Sequence, residues 1–131
     1  MNLAEPKFLT LAEVLYLHDE SLKRYGGAAG IRERGLIESA LGSAQNAFWY
    51  GRGGLFEIAA AYAFHIAESQ SFVDGNKRTA AASAISFLRK NGVSFPKDDD
   101  SVYRAMIEIA KKRLDKNGLA AVLKQLTEKQ N

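Results

Sequence analysis

The sequence predicts an all-α protein, a compact bundle of about six helices with at most one short β-hairpin flap. Three observations point there. Apolar residues recur at three- and four-residue intervals along most of the chain, and no stretch of useful length alternates with the period of two that a strand requires. Two segments, residues 55–68 and 76–91, are rich in alanine, so their backbones can approach closely and form the centre of the bundle. With 131 residues, 47% of them hydrophobic, the chain is sized for one core, and a single domain over 1–131 is expected.

The first helix is announced by Thr10-Leu-Ala-Glu13, a capping box in which hydroxyl and carboxylate satisfy each other's free backbone donors. Leu11, Val14, Leu15, Leu17, His18 and Leu22 follow at helical spacing, and Gly26-Gly27 supplies the stop. GAAGIRERG reads as a connector, after which Leu36, Ile37, Ala40, Leu41 and Ala44 form a second, shorter amphipathic helix. AFWYGRGG, Ala47 to Gly54, mixes three aromatics with three glycines and suits a turn or small hairpin with exposed rings. LFEIAAAYAFHIAE, Leu55 to Glu68, is almost wholly apolar yet too short to span a bilayer, which makes it a buried core helix. The second alanine-rich helix runs from about Asn76 to Asn91 and Gly92 stops it. PKDDDS breaks the chain and caps a helix carrying Val102, Met106, Ile109, Ala110 and Arg113, and Asn117-Gly118 separates that helix from a last one ending in TEKQN.

Composition removes several function classes. Eighteen Lys and Arg against fifteen Asp and Glu give +3, with the cations dispersed among acids, so no nucleic-acid partner is expected. No cysteine is present, which excludes disulfides and thiolate metal sites. MNLAEPKF carries an acid early and has no basic flank before an apolar run, unlike a secretory leader, and no segment has the ~18 apolar residues of a membrane span. A cytoplasmic protein with no membrane partner is expected.

One stretch carries chemistry. FVDGNKRTA, Phe72 to Ala80, crowds Asp74, Asn76, Lys77 and Arg78 into five residues at the start of a helix. Asn76 is a favoured N-cap. Lys77 and Arg78 then sit in the first turn, where unpaired N–H groups make the helix end partly positive, and each cation opposes that dipole by about 0.3–1 kcal/mol. An anion offsets the repulsion, because free N–H groups and two cationic side chains can converge on phosphate oxygens. Asp74 would then be an oxygen ligand for Mg²⁺, which binds through one or two carboxylates plus substrate phosphates, and Gly75 lets the backbone turn closely. The plainer alternative is that this loop is ordinary punctuation, with its cations solvated or paired with an acid such as Glu68.

FVDGNKRTA, preceded by AYAFHIAESQ, resembles the Fic superfamily and in particular its death-on-curing (Doc) branch, and the resemblance extends to LTLAEVLYLHDESLKRYGG and GIRERGLIESAL. It implies a small all-α bundle with the motif between two central helices. Phe72 would anchor the loop, Asp74 would help to bind Mg²⁺, and Gly75, Asn76, Lys77 and Arg78 would hold the phosphates of ATP. AFWYGRGG lies near the family's flap for docking protein targets. Most Fic proteins move AMP to a hydroxyl, whereas Doc is associated with moving the γ-phosphate to a threonine of elongation factor Tu. Lys77 stands where AMP-transferring members usually have Gly, which favours phosphate transfer. The resemblance further implies a type II toxin-antitoxin system, with a small Phd-like antitoxin as partner.

The chain departs from the family pattern at position 70, where Gln70 replaces the motif histidine. An imidazole can take a proton from an attacking hydroxyl; a neutral amide cannot, and such a base is worth about 10²–10⁴ in rate. His65 lies five residues upstream and, at ~100° per residue, on a different helix face, so it does not substitute directly. Asp74 could instead act as base in a loose phosphoryl transfer, with Gln70 orienting the acceptor and Arg78 neutralising charge. Three readings stay open: a Doc-like kinase, a catalytically disabled nucleotide- or partner-binding module, and an AMP transferase performing protein adenylylation.

Overall fold

The computed structural model describes residues 5–95 and 100–128. Six helices follow one another: α1 Leu11–Tyr25, α2 Arg34–Trp49, α3 Leu55–Ser69, α4 Asn76–Lys90, α5 Ser101–Ala110 and α6 Lys116–Glu128. The all-α expectation holds. Among the described residues the β-structure amounts to an isolated antiparallel bridge between Ile31 and Phe72. No helix among them is long and apolar enough to cross a membrane.

The centre is the pair α3 and α4, which make the most extensive helix–helix contact in the molecule. Ala59, Ala60, Ala61 and Ala63 of α3 and Ala80, Ala81, Ser83 and Ala84 of α4 are all buried. Methyl-sized side chains put little between the two backbones, so the axes close up and larger residues fill the flanks. Tyr62, Phe87, Ile58 and Ile66 do that filling, with Ile37 from α2, Met106 and Ile109 from α5, and Leu119 and Leu123 from α6. The Tyr62 hydroxyl is kept satisfied by the Leu9 backbone N–H at 2.9 Å, and burial pushes it up to about 12.

At the start of α1 the Thr10 hydroxyl accepts from the Glu13 N–H at 3.1 Å and the Glu13 carboxylate accepts from the Thr10 N–H at 2.9 Å. The capping box is therefore present as read. Lys90, at the end of α4, donates to the same Glu13 carboxylate at 2.7 Å and to the Phe8 carbonyl at 2.9 Å, tying the far end of α4 to the near end of α1.

Several boundaries differ from the sequence reading. AFWYGRGG forms no hairpin: Ala47, Phe48 and Trp49 continue α2, and only the residues after them turn. Phe48 packs edge-on against Phe8 at 6.1 Å, which gives the helix an apolar partner for the extra turn, while Trp49 and Tyr50 stay exposed. α2 also begins earlier than read, inside the connector, at Arg34. Asn117-Gly118 is not the break before the last helix; both lie inside α6. Asp115 starts that helix, its carboxylate accepting from the Gly118 N–H at 2.7 Å. Residues 96–99, most of the expected breaker PKDDDS, lie outside the described residues. Asp100 stands at the N-cap of α5 but makes no side-chain cap bond, because its carboxylate is turned to Arg78.

Candidate functional site

The loop between α3 and α4 is stitched to the connector between α1 and α2. The Ser71 carbonyl accepts from the N–H groups of Arg32 at 2.6 Å and Glu33 at 3.0 Å, and the Val73 N–H donates to the Gly30 carbonyl at 3.0 Å. Phe72 is fully buried, and its ring stacks on His18 of α1 with centroids 3.8 Å apart and planes 12° from parallel. His18 is buried too, and its Nε2–H donates to the Asp74 carbonyl at 2.8 Å. A buried imidazole thus lies beneath the loop and fixes it from below.

Asp74 fixes the loop from the other side. Its carboxylate accepts from the Ala28 N–H at 3.1 Å and from the Gly75 N–H at 2.9 Å. Gly27 sits beside it at φ 121°, a conformation that favours glycine, and a Cβ there would stand 2.9 Å from Asp74 Oδ2 and push the carboxylate aside. Each carboxylate oxygen keeps a further acceptor site, since an ionised carboxylate offers about four.

Asn76 does not cap α4, contrary to the sequence reading. The N-cap is Gly75, in the left-handed conformation at φ 79°, and Asn76 is the first helical residue. Its amide turns back instead: Oδ1 accepts from the Phe72 N–H at 3.1 Å, and Nδ2 donates to the Phe72 carbonyl at 3.0 Å. The first helical bond runs from the Thr79 N–H to the Gly75 carbonyl at 2.9 Å. No side chain caps this helix and its first turn holds no acid, so the N–H groups of Asn76, Lys77 and Arg78 have no capping partner. Freed from capping, the helix start keeps its donors.

Above that start is a concavity of about 550 Å³. Its wall takes in Glu68 and Gln70 from the end of α3, Asp74 and Gly75 from the loop, Asn76, Lys77 and Arg78 from α4, Tyr25 from α1, Tyr103 from α5 and Lys112 from the turn after α5. The site residues singled out in the sequence are thus brought together around one space. Gln70 is the C-cap of α3 and is exposed, with a left-handed backbone at φ 47°. Lys112, at φ 62°, is another of the three non-glycine residues held at positive φ among those described. Both follow a helix end, where a left-handed residue is a common stop.

The two motif cations behave differently. Lys77 is exposed, whereas Arg78 is largely covered, its guanidinium carbon 3.8 Å from the Tyr25 ring centroid and 3.6 Å from that of Tyr103, with Nη1 donating to Asp100 at 3.0 Å. Glu68 pairs with neither; it faces Lys112 at 3.7 Å. Three cations therefore meet two carboxylates around the concavity; of the plain alternative, the pairing with Glu68 is absent, while Lys77 is indeed exposed and Arg78 is paired with another acid, Asp100.

His65 is absent from the concavity and makes its contact elsewhere, with the Lys116 ammonium 3.2 Å from Nε2. Burial and then the Lys116 charge hold its pKa below the usual imidazole value, with Glu68 acting in the opposite sense. It is a neutral acceptor for a lysine, as its position on another helix face implied.

Sequence reasoning missed His18 as the support of the loop, Tyr25 and Tyr103 around Arg78, and Lys112. Only His18 left a signal, by falling on the buried stripe of α1. The others reach the site across the fold, from positions 25 to 53 residues away from Arg78 along the chain.

A helical bundle whose alanine-rich central pair carries an uncapped, cation-bearing helix start beneath a polar concavity is the class of small domain that the fold and this surface define. The chain belongs to the Fic/DOC family, whose model matches residues 8–88. It is similar to the protein named protein kinase doc of Escherichia phage P1, 43% identical over 82 residues, which cover 62% of this chain and 65% of the phage protein. It is also similar to the protein named toxin Doc of Mycolicibacterium smegmatis, 40% identical over 106 residues, 76% of this chain and 79% of that relative. The phage relative is thus matched over less than its whole length.

Proposed function

We propose that this chain is a Doc-like toxin that transfers the γ-phosphate of ATP to a hydroxyl of a translation factor, elongation factor Tu, in the cytoplasm, and that a Phd-like antitoxin restrains it. The observation that carries the reading is the concavity over the uncapped start of α4, lined by Lys77 and Arg78. Relatives named as a kinase and as a toxin support the same direction.

In this reading the N–H groups of Asn76, Lys77 and Arg78 and the two cationic side chains receive the polyphosphate, with Gly75 keeping the approach open. The donor set fits Mg²⁺ held jointly with phosphate: Asp74 lines the concavity with acceptor sites to spare, and one carboxylate plus phosphate oxygens suffices for that ion. When bound, Mg²⁺ would neutralise phosphate charge. Gln70 orients the acceptor hydroxyl by hydrogen bonding, and Asp74 is the carboxylate on hand to take its proton, in a transfer that depends mainly on positioning and charge neutralisation.

A second reading rests on Gln70 itself. Its amide accepts no proton at working pH, which favours a Fic-fold module that binds nucleotide or partner without turnover.

One assay separates the readings. The protein is incubated with Mg²⁺, elongation factor Tu and ATP labelled at the γ- or the α-phosphate, beside Gln70→His and Asp74→Asn. Label from γ identifies a kinase, and label from α identifies AMP transfer. ATP binding with label from neither position identifies the binding module. Full activity of Asp74→Asn excludes that carboxylate as the base.

A further inference from the structure

We infer that Tyr25 and Tyr103 are positioning residues that hold the Arg78 guanidinium edge-on to the concavity, so that it meets an incoming polyphosphate in the plane of its donors. The inference rests on the phosphate-site reading and extends that site to α1 and α5, elements outside the motif.

The geometry is specific. Two ring centroids lie 3.8 and 3.6 Å from the same guanidinium carbon. One face of a planar group has room for one ring at that distance, so the rings take opposite faces and leave the edge as the only approach. Stacking consumes no donor. Asp100 takes Nη1 at 3.0 Å, and the remaining N–H donors lie in the plane. In-plane N–H pairs are the arrangement that matches two phosphate oxygens at once. A free arginine would have to be ordered on binding; this one is ordered by folding, which is the advantage of preorganisation.

The stack also joins separate parts of the molecule. Tyr25 ends α1, Arg78 lies in the first turn of α4 and Tyr103 in the first turn of α5. The three together form a wall, since a second concavity of about 530 Å³ between α1 and α4 has Tyr25, Arg78 and Tyr103 in its lining as well. Tyr25 is 49% exposed, a large apolar face left open for a residue whose only job is packing. Its ring has a partner in the guanidinium.

The test is calorimetric titration of inorganic tripolyphosphate into the native protein, Tyr103→Phe, Tyr103→Leu, Tyr25→Leu, Lys77→Ala, Arg78→Gln and the double variant Tyr103→Leu/Arg78→Gln, with a thermal melt of each. A ring is enough to stack, so Tyr103→Phe should keep its affinity within about twofold, whereas Tyr103→Leu and Tyr25→Leu should each weaken binding roughly tenfold. In the Arg78→Gln background, Tyr103→Leu should add nothing, because the tyrosine acts through the arginine. If Tyr103→Leu does not melt cooperatively, the more exposed Tyr25 position gives the answer. Binding that Lys77→Ala weakens and the tyrosine variants leave intact would overturn the positioning role while the phosphate site stands. An equal loss from Tyr103→Leu with and without Arg78 would overturn it too. No binding by the native protein would remove both proposals together.

Discussion

The starts of α1 and α4 solve the same problem in opposite ways. Both helices are fifteen residues long and both begin with donors that the helix itself cannot satisfy. At α1 the chain answers locally: Thr10 and Glu13 cap each other, and Lys90 completes the carboxylate's bonding. At α4 the residue that could have capped, Asn76, is spent on closing the preceding loop through Phe72, and two cations stand where an acid would be favourable. A missing cap is not distinctive alone, since α2, α3 and α5 also make no side-chain cap bond. What sets α4 apart is that its start opens onto a concavity and is held rigid from two sides by His18 and Asp74. One helix end is closed by its own side chains and the other is left open to the concavity.

The largest effect that would sharpen this contrast is catalytic. Under the proposed function, Gln70→His places at the rim of the α4 concavity an imidazole, a stronger base than the Asp74 carboxylate, and should raise transfer of labelled phosphate to elongation factor Tu by about 10²–10⁴. An unchanged rate would mean that position 70 does not take part in proton transfer.

Phe72→Ala should cost about 3–5 kcal/mol of stability, because it removes a fully buried ring and strips His18 of its stacking partner. Denaturant unfolding measures it. A loss below 1 kcal/mol, on the order of a surface change, would contradict the view that the loop is held from beneath.

Thr10→Ala tests the other helix end. It should lower stability by about 0.5–2 kcal/mol and leave nucleotide affinity where it was. A change in affinity would show that the two ends are energetically coupled, which the contrast denies.

The smallest effect concerns pH. His65 is held neutral by burial and the nearby Lys116, so its folded pKa lies below the unfolded value near 6.5. Its contribution to stability is whole above that value and is lost as the pH falls from there through the folded pKa. His65→Gln, which keeps an acceptor for Lys116, should therefore flatten the decline in Tm on acidification below about 6.5. An equally steep decline in the variant would place the acid sensitivity elsewhere.

Much of the fold was legible because its signals are local. Thr10 and Glu13 are three residues apart and cap as read; the alanine pattern of residues 55–68 and 76–91 gave the central pair; the stripe of α1 placed His18 inside. Boundaries failed where a distant contact decided. Phe48 stays helical because Phe8 lies beside it, and Asn117-Gly118 stays helical because Asp115 caps first. The candidate site shows the same division. Asp74 to Arg78 could be named from the chain because they are contiguous, Gln70 came from the family resemblance, and the concavity they share had to await the fold. Asn76 was assigned the commonest use of its residue type, capping, and the loop geometry gave it another. Tyr25, Tyr103 and Lys112 carry no motif, and only packing brings them to Arg78 and Glu68.

The central claim is that the start of α4 receives the polyphosphate of a nucleotide, and its most direct test is calorimetric titration of ATP with Mg²⁺ into the native protein and into Lys77→Ala. Lys77 is exposed, so its loss should leave the melting temperature nearly unchanged. The account predicts saturable one-to-one binding that weakens by about tenfold or more in the variant, as expected for losing one charge-assisted contact. Equal affinity in both proteins, or no binding in either, would contradict it.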